Sequence, residues 1–283
     1  MHGVVYSYGR GTPFYRVAVD HADLSVKAGR ITGIIGHTGS GKSTLLQMMN
    51  GLLRPEEGTV ELFGKNIWDK PKQMRRVAFT AGLVFQYPEY QLFEETVRKD
   101  VAYGPKNMGL PEEEIERRVS SALRFVGLDE SIADKSPFEL SGGQKRRVAI
   151  AGIIAMEPEV LILDEPAAGL DPRGREEIFR NVVNYQKETG RTVVIVSHNM
   201  EDMAAYAQDL IVLKEGKVIL SGPCREVFKE KELLRSAGLN VPQIMVFTEK
   251  LRALGVPIPE DLLTVDEAVS ALALLLKGGV NGA

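Results

Sequence analysis

Three short runs of this chain carry almost no polar residue: "ITGII" at Ile31–Ile35, "VLIL" before Asp164, and "TVVIV" before Ser197. Runs this short, rich in β-branched residues and lacking alternation, predict strands buried on both faces, as in a parallel sheet. Around them the pattern changes. "VVYSYG" and "RVAVDHADL" have the alternating character of half-buried strands. "PEEEIERRVSSALRFV" places Ile115, Val119, Leu123 and Val126 on one helical stripe, with acids in its first turn and Gly127 at its stop. Strands alternating with helices predict an α/β core.

The first strand run leads through glycines into "KSTLLQMMNGLL", a predicted helix closed by Gly51, and residues 55–68 predict a turn and a short strand pair. "ELSGGQKRR" carries Ser141 and Gln144 at capping-box spacing, so a helix is expected to start there. "LIVLKEGKVILSG" predicts a hairpin around Glu215 and Gly216. Beyond Pro223 the chain turns helical, with Thr264 and Glu267 as a second capping box and an apolar stripe of Val265, Val269, Leu272 and Leu276. That stripe is open to burial within the chain or against a partner. The expected organisation is a domain over 1–222, with a helical part at about 90–155, and a helical extension over 223–283.

Composition narrows the class. A chain of 283 residues with 44% apolar content can build a large core, and a formal charge of −3 with pI ≈ 5.9 does not point to nucleic acid. The basic runs "MRRV" and "KRR" are expected to be solvated faces. One cysteine, Cys224, excludes an internal disulfide and suits a reducing compartment. The chain opens without a basic-then-apolar leader, and its densest apolar runs fall short of the about 20 residues that cross a bilayer. A cytosolic protein that does not span the membrane is expected.

The chemistry is concentrated in few places. "GHTGSGKST", from Gly36 through His37, Thr38, Gly39, Ser40, Gly41, Lys42 and Ser43 to Thr44, fits the phosphate-binding loop and lies between a predicted strand and a helix. Its backbone N–H groups would wrap a polyphosphate, Lys42 would reach the β and γ groups, and the Ser43 hydroxyl would ligate Mg²⁺. Asp164 and Glu165 end a buried strand, where carboxylates are costly unless they serve something. Asp164 would hold Mg²⁺ through water and Glu165 would polarise the attacking water. His198 ends the next strand, at the same sheet edge. The bare helix start at Ser141, Gly142, Gly143 and Gln144 is a second anion site in a chain that already has one.

"GHTGSGKST", Gln86, "LSGGQ", "LILDE", "GLDP" and His198, in that order, resemble the nucleotide-binding subunit of ATP-binding-cassette (ABC) proteins. In that family two cassettes meet head to tail, and each "LSGGQ" helix start caps the γ-phosphate of ATP held by the other, which explains the second anion site. The resemblance implies an ATP hydrolase with Mg²⁺ as cofactor. It implies a P-loop α/β fold with a parallel-sheet core, an antiparallel N-terminal subdomain, a helical subdomain bearing the signature motif, and a short helical extension. Residue by residue, it implies that Tyr8 stacks on adenine, with Tyr6 a competitor two residues away. Gln86 senses Mg²⁺ and the attacking water, Asp171 crosses to the partner cassette, Glu165 is the general base, and His198 is the switch histidine.

The loop sequence, "FQYPEYQLFEETVRKDVAYGPKN" and the "LSGGQKRRVAIAG" helix are further similar to the ATPases of energy-coupling-factor importers of vitamins and metal ions, in particular their second paralogous type. That implies a peripheral protein on the cytoplasmic face of the membrane, with a second cassette, a transmembrane scaffold and substrate-binding membrane subunits as partners. Other classes fit less well: a conventional ABC importer with its own permease, a soluble ABC ATPase acting on nucleic acid, or a kinase or GTPase, which has no use for "LSGGQ". Tyr87, Tyr90, Leu92 and Phe93 after Gln86 suit either packing beneath the helical part or an exposed docking surface.

Overall fold

The computed structural model describes residues 1–280, with side chains through Leu276, so residues 281–283 of the expected extension lie outside the described residues. β1 (His2–Tyr8) and β2 (Arg16–Ala22) pair antiparallel, and β3 (Ile31–Ile35), buried throughout, runs through a loop into α1 (Lys42–Met49). β4 (Glu57–Thr59) joins the other edge of β1, while β5 (Glu61–Leu62) and β6 (Lys65–Asn66) make a small hairpin. A helix not expected from the pattern, α2 (Met74–Thr80), covers "MRRVAFT" and leads into β7 (Ala81–Val84). Three helices follow: α3 (Val97–Asn107), α4 (Glu112–Phe125) and α5 (Gly142–Ile154).

The alternation then returns with β8 (Val160–Asp164), α6 (Pro172–Thr189), β9 (Thr192–Val196), α7 (Met200–Tyr206) and β10 (Asp209–Lys214), which turns back as β11 (Lys217–Pro223). Glu215 and Gly216, both at positive φ (50° and 80°), make that turn, the geometry that suits a tight hairpin between twisted strands. The chain ends in α8 (Cys224–Lys229), α9 (Lys231–Ser236), α10 (Gln243–Ala253) and α11 (Val265–Val280).

The main sheet has the order β11-β10-β3-β9-β8-β7, parallel except for the edge strand β11. Its strands read as continuous apolar runs because successive residues enter different cores. Val193 and Ile195 of β9 pack with the helical layer, and Val194 and Val196 pack on the other face with α1 and the antiparallel sheet. The period of two is present, but both faces are dry, so it leaves no polar mark in the sequence. The stripe of α4 is buried as its period predicts, with Ile115, Val119, Leu123 and Val126 all in the first core.

One expectation is corrected, and one left open is narrowed. The "KRR" run is not a solvated face: Arg146 is 3% exposed, and Arg147 donates to Glu177 on α6 at 2.6 Å. A helix inserted between other layers has no face free for water, and these arginines find their partners across it. The apolar stripe of α11 is not satisfied within the chain, because Val265, Val269 and Leu276 are exposed while Leu272 packs on a small cluster with Ile258, Leu262 and Ala268.

The segment after Pro223 shares the main core: Phe228, Leu234, Leu239, Val241 and Met245 join the cluster that holds Ile195 and Leu210. Cys224 is buried there, its thiol pushed up to about 12 by burial, so it stays a neutral, unreactive S–H. Phe228→Ala is expected to lower the unfolding free energy of the whole chain by about 3–5 kcal/mol, read from the denaturant midpoint. A tail that packs as a separate module would instead leave the main transition unchanged.

Candidate nucleotide site

The parallel strands β3, β7, β8 and β9 each end within a residue of their neighbours' level. In the pairings of β8 with β9 and β7, Asp164 lies opposite Val196 and Leu163 opposite Val84. The loops that leave β3, β7, β8 and β9 therefore open on one sheet edge, where open α/β sheets bind ligands. There they line one cavity of about 980 Å³ walled by Tyr8, the loop from Gly36 to Thr44 apart from the buried Ser40, Gln86, Asp164, Glu165 and His198.

The loop is built around contacts that only glycine permits. Gly41 has φ 103°, and a Cβ there would lie 2.3 Å from the Ala18 carbonyl oxygen of β2. At Gly36 a Cβ would lie 2.5 Å from the Leu213 carbonyl oxygen of β10. The Lys42 ammonium donates to the carbonyls of Gly36 at 2.7 Å and His37 at 2.9 Å, which curls the loop over the start of α1. His37 Nδ1 meets the Thr38 carbonyl at 2.6 Å, and Ser40 is buried with its N–H donating to the His37 carbonyl. The Tyr8 hydroxyl lies 3.2 Å from Thr44 Oγ1 and its ring is open to the cavity, whereas Tyr6 packs on the core beneath and meets Tyr8 edge-on. The competition between the two tyrosines is decided by position along β1: Tyr8, at the strand's end, is exposed and lines the cavity, and Tyr6, two residues earlier, packs against the core.

Burial sets the charges against their preferences. It lowers the affinity of Lys42 for its proton, with Glu165 and Asp164 opposing. It raises the affinity of Asp164, with the Ser43 hydroxyl and Lys42 opposing. Glu165 holds φ 50°, a left-handed conformation that side chains rarely adopt, and its N–H donates to the Val196 carbonyl at 3.0 Å. The turned backbone brings its carboxylate to His198 Nδ1 at 2.9 and 3.0 Å. The Ser43 hydroxyl, the Gln86 amide and the Asp164 carboxylate offer hard oxygen donors, and among the described residues no group of three or more His, Cys, Asp and Glu could hold a metal alone. That set fits Mg²⁺, which keeps waters and takes substrate phosphate oxygens rather than an all-protein cage.

The signature residues stand apart from this cavity. Ser141 and Gln144 form the expected capping box at α5, at 3.3 and 3.0 Å, and added Cβ atoms at Gly142 and Gly143 would meet nothing within 4 Å. Asp171 caps α6, accepting from the Gly174 N–H at 2.7 Å. None of these residues lines the loop's cavity. Past Gln86, Leu92 is buried, while Tyr87, Tyr90 and Phe93 are exposed, Tyr90 at 84%. Packing beneath the helical part thus holds for Leu92 alone, and the three aromatic residues stay uncovered.

Sequence reasoning missed some of the wall. Arg16 of β2 donates to the Gly39 carbonyl at 2.7 Å and lines the cavity. The tail contributes Asn240 and Gln243, and the Gln243 N–H donates to Glu201 Oε1 at 3.2 Å. The only trace of this in the sequence is local, a helix start after Pro242 that lacks a capping side chain of its own.

Comparison with known proteins gives a consistent picture. The family model "ABC transporter" matches residues 19–168. An energy-coupling factor transporter ATP-binding protein EcfA2 of Caldanaerobacter subterraneus is 52% identical over 99% of this chain and 98% of its own length. The protein of the same name in Clostridium perfringens is 51% identical over 94% of each chain. Among solved structures, cbiO1 of Clostridium perfringens, described as part of the ABC transporter complex cbiONQ, has TM-score 0.74 and 44% identity over 88% of this chain and 97% of its own. The dimeric cassette MJ0796 has TM-score 0.70 and 30% identity, over 79% of this chain and 97% of its own.

Gly41→Ala puts a methyl group into the Ala18 carbonyl at a backbone angle that itself costs about 1–2 kcal/mol. The variant is expected to fold, because the core is untouched, and to lose nucleotide binding by at least about tenfold in equilibrium titration. Unchanged binding would mean that the loop does not need its observed shape.

Proposed function

This chain belongs to the ABC transporter family, among the energy-coupling-factor ATP-binding proteins, and from that premise we infer how it binds and hydrolyses ATP to drive a membrane transporter. The observation that carries the reading is the split between two sets of residues. Lys42, Ser43, Gln86, Asp164, Glu165 and His198 line one cavity, while the bare helix start at Ser141 is not part of its lining and opens on free space. Two cassettes meeting head to tail bring the cavity of one against the helix start of the other.

ATP lies with its adenine on the Tyr8 ring and its phosphates in the curl of Gly36–Thr44, whose N–H groups and Lys42 offset the charge. Ser43, Asp164 and Gln86 are the residues that would hold Mg²⁺, which when bound would supply charge neutralisation for the phosphates. Glu165 takes a proton from the attacking water, and the His198 contact at 2.9 Å orients its carboxylate. The partner's signature helix start, with Ser141, Gly142, Gly143 and Gln144 as this chain's equivalents, caps the γ-phosphoryl group. Asp171, at the start of α6, faces the partner. Closure on two ATP and reopening after hydrolysis give a two-state element whose energy passes to the membrane subunits.

The partner is a second, paralogous cassette, and the membrane side consists of a transmembrane scaffold with substrate-binding subunits that import vitamins or metal ions. Among the described residues no helix is long and apolar enough to cross a membrane, which supports attachment at the cytoplasmic face through those subunits. The exposed Tyr87, Tyr90 and Phe93 suit that docking.

Glu165→Gln is expected to keep ATP binding and lower kcat by about 10²–10⁴-fold, with closed pairs accumulating in ATP. Full turnover would remove Glu165 from the base role. Ser141→Arg is expected to spare ATP binding by its own chain and block turnover at the partner's site; loss of binding in the same chain would refute the cross-capping account.

A further inference from the structure

Arg146 is buried on α5, and its side chain reaches two segments distant in sequence. Nε and Nη2 donate to the two oxygens of Glu89 at 3.0 and 2.7 Å, Nη1 donates to the Ala168 carbonyl, and the guanidinium lies 5.7 Å from the Tyr87 ring centroid. Glu89 follows Gln86 by three positions, and Ala168 follows Glu165 by three. A single planar group thus joins the signature helix to the segments that leave β7 and β8.

Stability does not account for this arrangement. A buried ion pair seldom outperforms apolar packing of the same volume, since desolvation offsets the attraction. What a bidentate fork supplies is geometry, because two parallel hydrogen bonds fix both distance and plane. Burial disfavours the Glu89 carboxylate, yet the Arg146 hydrogen bonds hold its pKa below the usual carboxylate range. The contact is therefore a charged clamp that ties three segments together.

We propose that Arg146 is a positioning residue that couples the two ATP sites of the pair, holding the signature helix in register with the Gln86 and Glu165 segments of its own chain. The proposal rests on the reading that Gln86 and Glu165 serve the ATP of this chain while Ser141 serves the partner's. A displacement at one site then moves the cap of the other. Arg147 does not do this, as its bond to Glu177 anchors α5 to α6 only.

The test uses the full-length chain assembled with its partner cassette, in Arg146→Lys, Glu89→Gln and the double variant, with Glu165→Gln alongside. Lysine keeps the charge but cannot make the fork, and glutamine keeps the shape but loses the charge. Each single variant is expected to bind ATP within about threefold of the parent and to lose about tenfold in kcat, the Hill coefficient for ATP falling toward one. The double variant is expected to be no worse than the weaker single one. An unchanged kcat, losses that multiply, or ATP binding that falls in step with kcat would each overturn the proposal, the last two marking a mere strut. If Glu165→Gln hydrolyses ATP, the assignment of site roles fails; if it is inactive while both single variants keep full kcat and cooperativity, only the Arg146 proposal fails.

Discussion

The rest of this structure depends on a sheet that is dry on both faces. With β3, β8, β9 and β10 packed above and below, a charged side chain on those strands has no place except at their ends. Because the strands are parallel and end near one level, the ends form one edge, and the loops leaving that edge carry the chemistry. The position of Asp164 illustrates the constraint. One residue earlier, Leu163 is fully buried; at Asp164 the strand is finished and a carboxylate can meet the Ser43 hydroxyl and the Lys42 ammonium.

The loop that follows β3 is equally constrained from outside. Gly41 passes under the Ala18 carbonyl and Gly36 under that of Leu213, so the antiparallel subdomain and β10 press on the phosphate loop from two sides. Arg16 adds a hydrogen bond to Gly39 from the same subdomain. The subdomain that offers Tyr8 to the cavity is thus also part of the mould that shapes the loop, and the tail closes another side with Asn240 and Gln243.

Incomplete surfaces are the other theme. The signature helix start is capped locally but presents its glycines to open space, Tyr90 and Phe93 are exposed, and α11 leaves Val265, Val269 and Leu276 uncovered. A chain that buries its sheet so thoroughly has the means to cover these groups, and their exposure fits a subunit finished by other chains.

Much of this was legible from spacing alone. Ile31–Ile35 is a strand with the bounds its apolar run predicts, the capping boxes at Ser141 and Thr264 form, and the α4 stripe is buried. These features are local, since each follows from residues a few positions apart whose backbone geometry admits little choice. The loop, the strand-end carboxylates and His198 were legible as chemistry for the same reason. Tertiary structure alone decided which side chains from distant segments meet. Tyr8 rather than Tyr6 lines the cavity because it stands at the end of β1, where the phosphate loop lies, and the tail wall depends on a helix docking some two hundred residues away from that loop. Arg146 reads in sequence as part of a basic surface run and becomes a buried clamp because α5 is enclosed by its neighbours. Local pattern determines which elements form; the partner of a long charged side chain is set only when those elements pack and water is excluded between them.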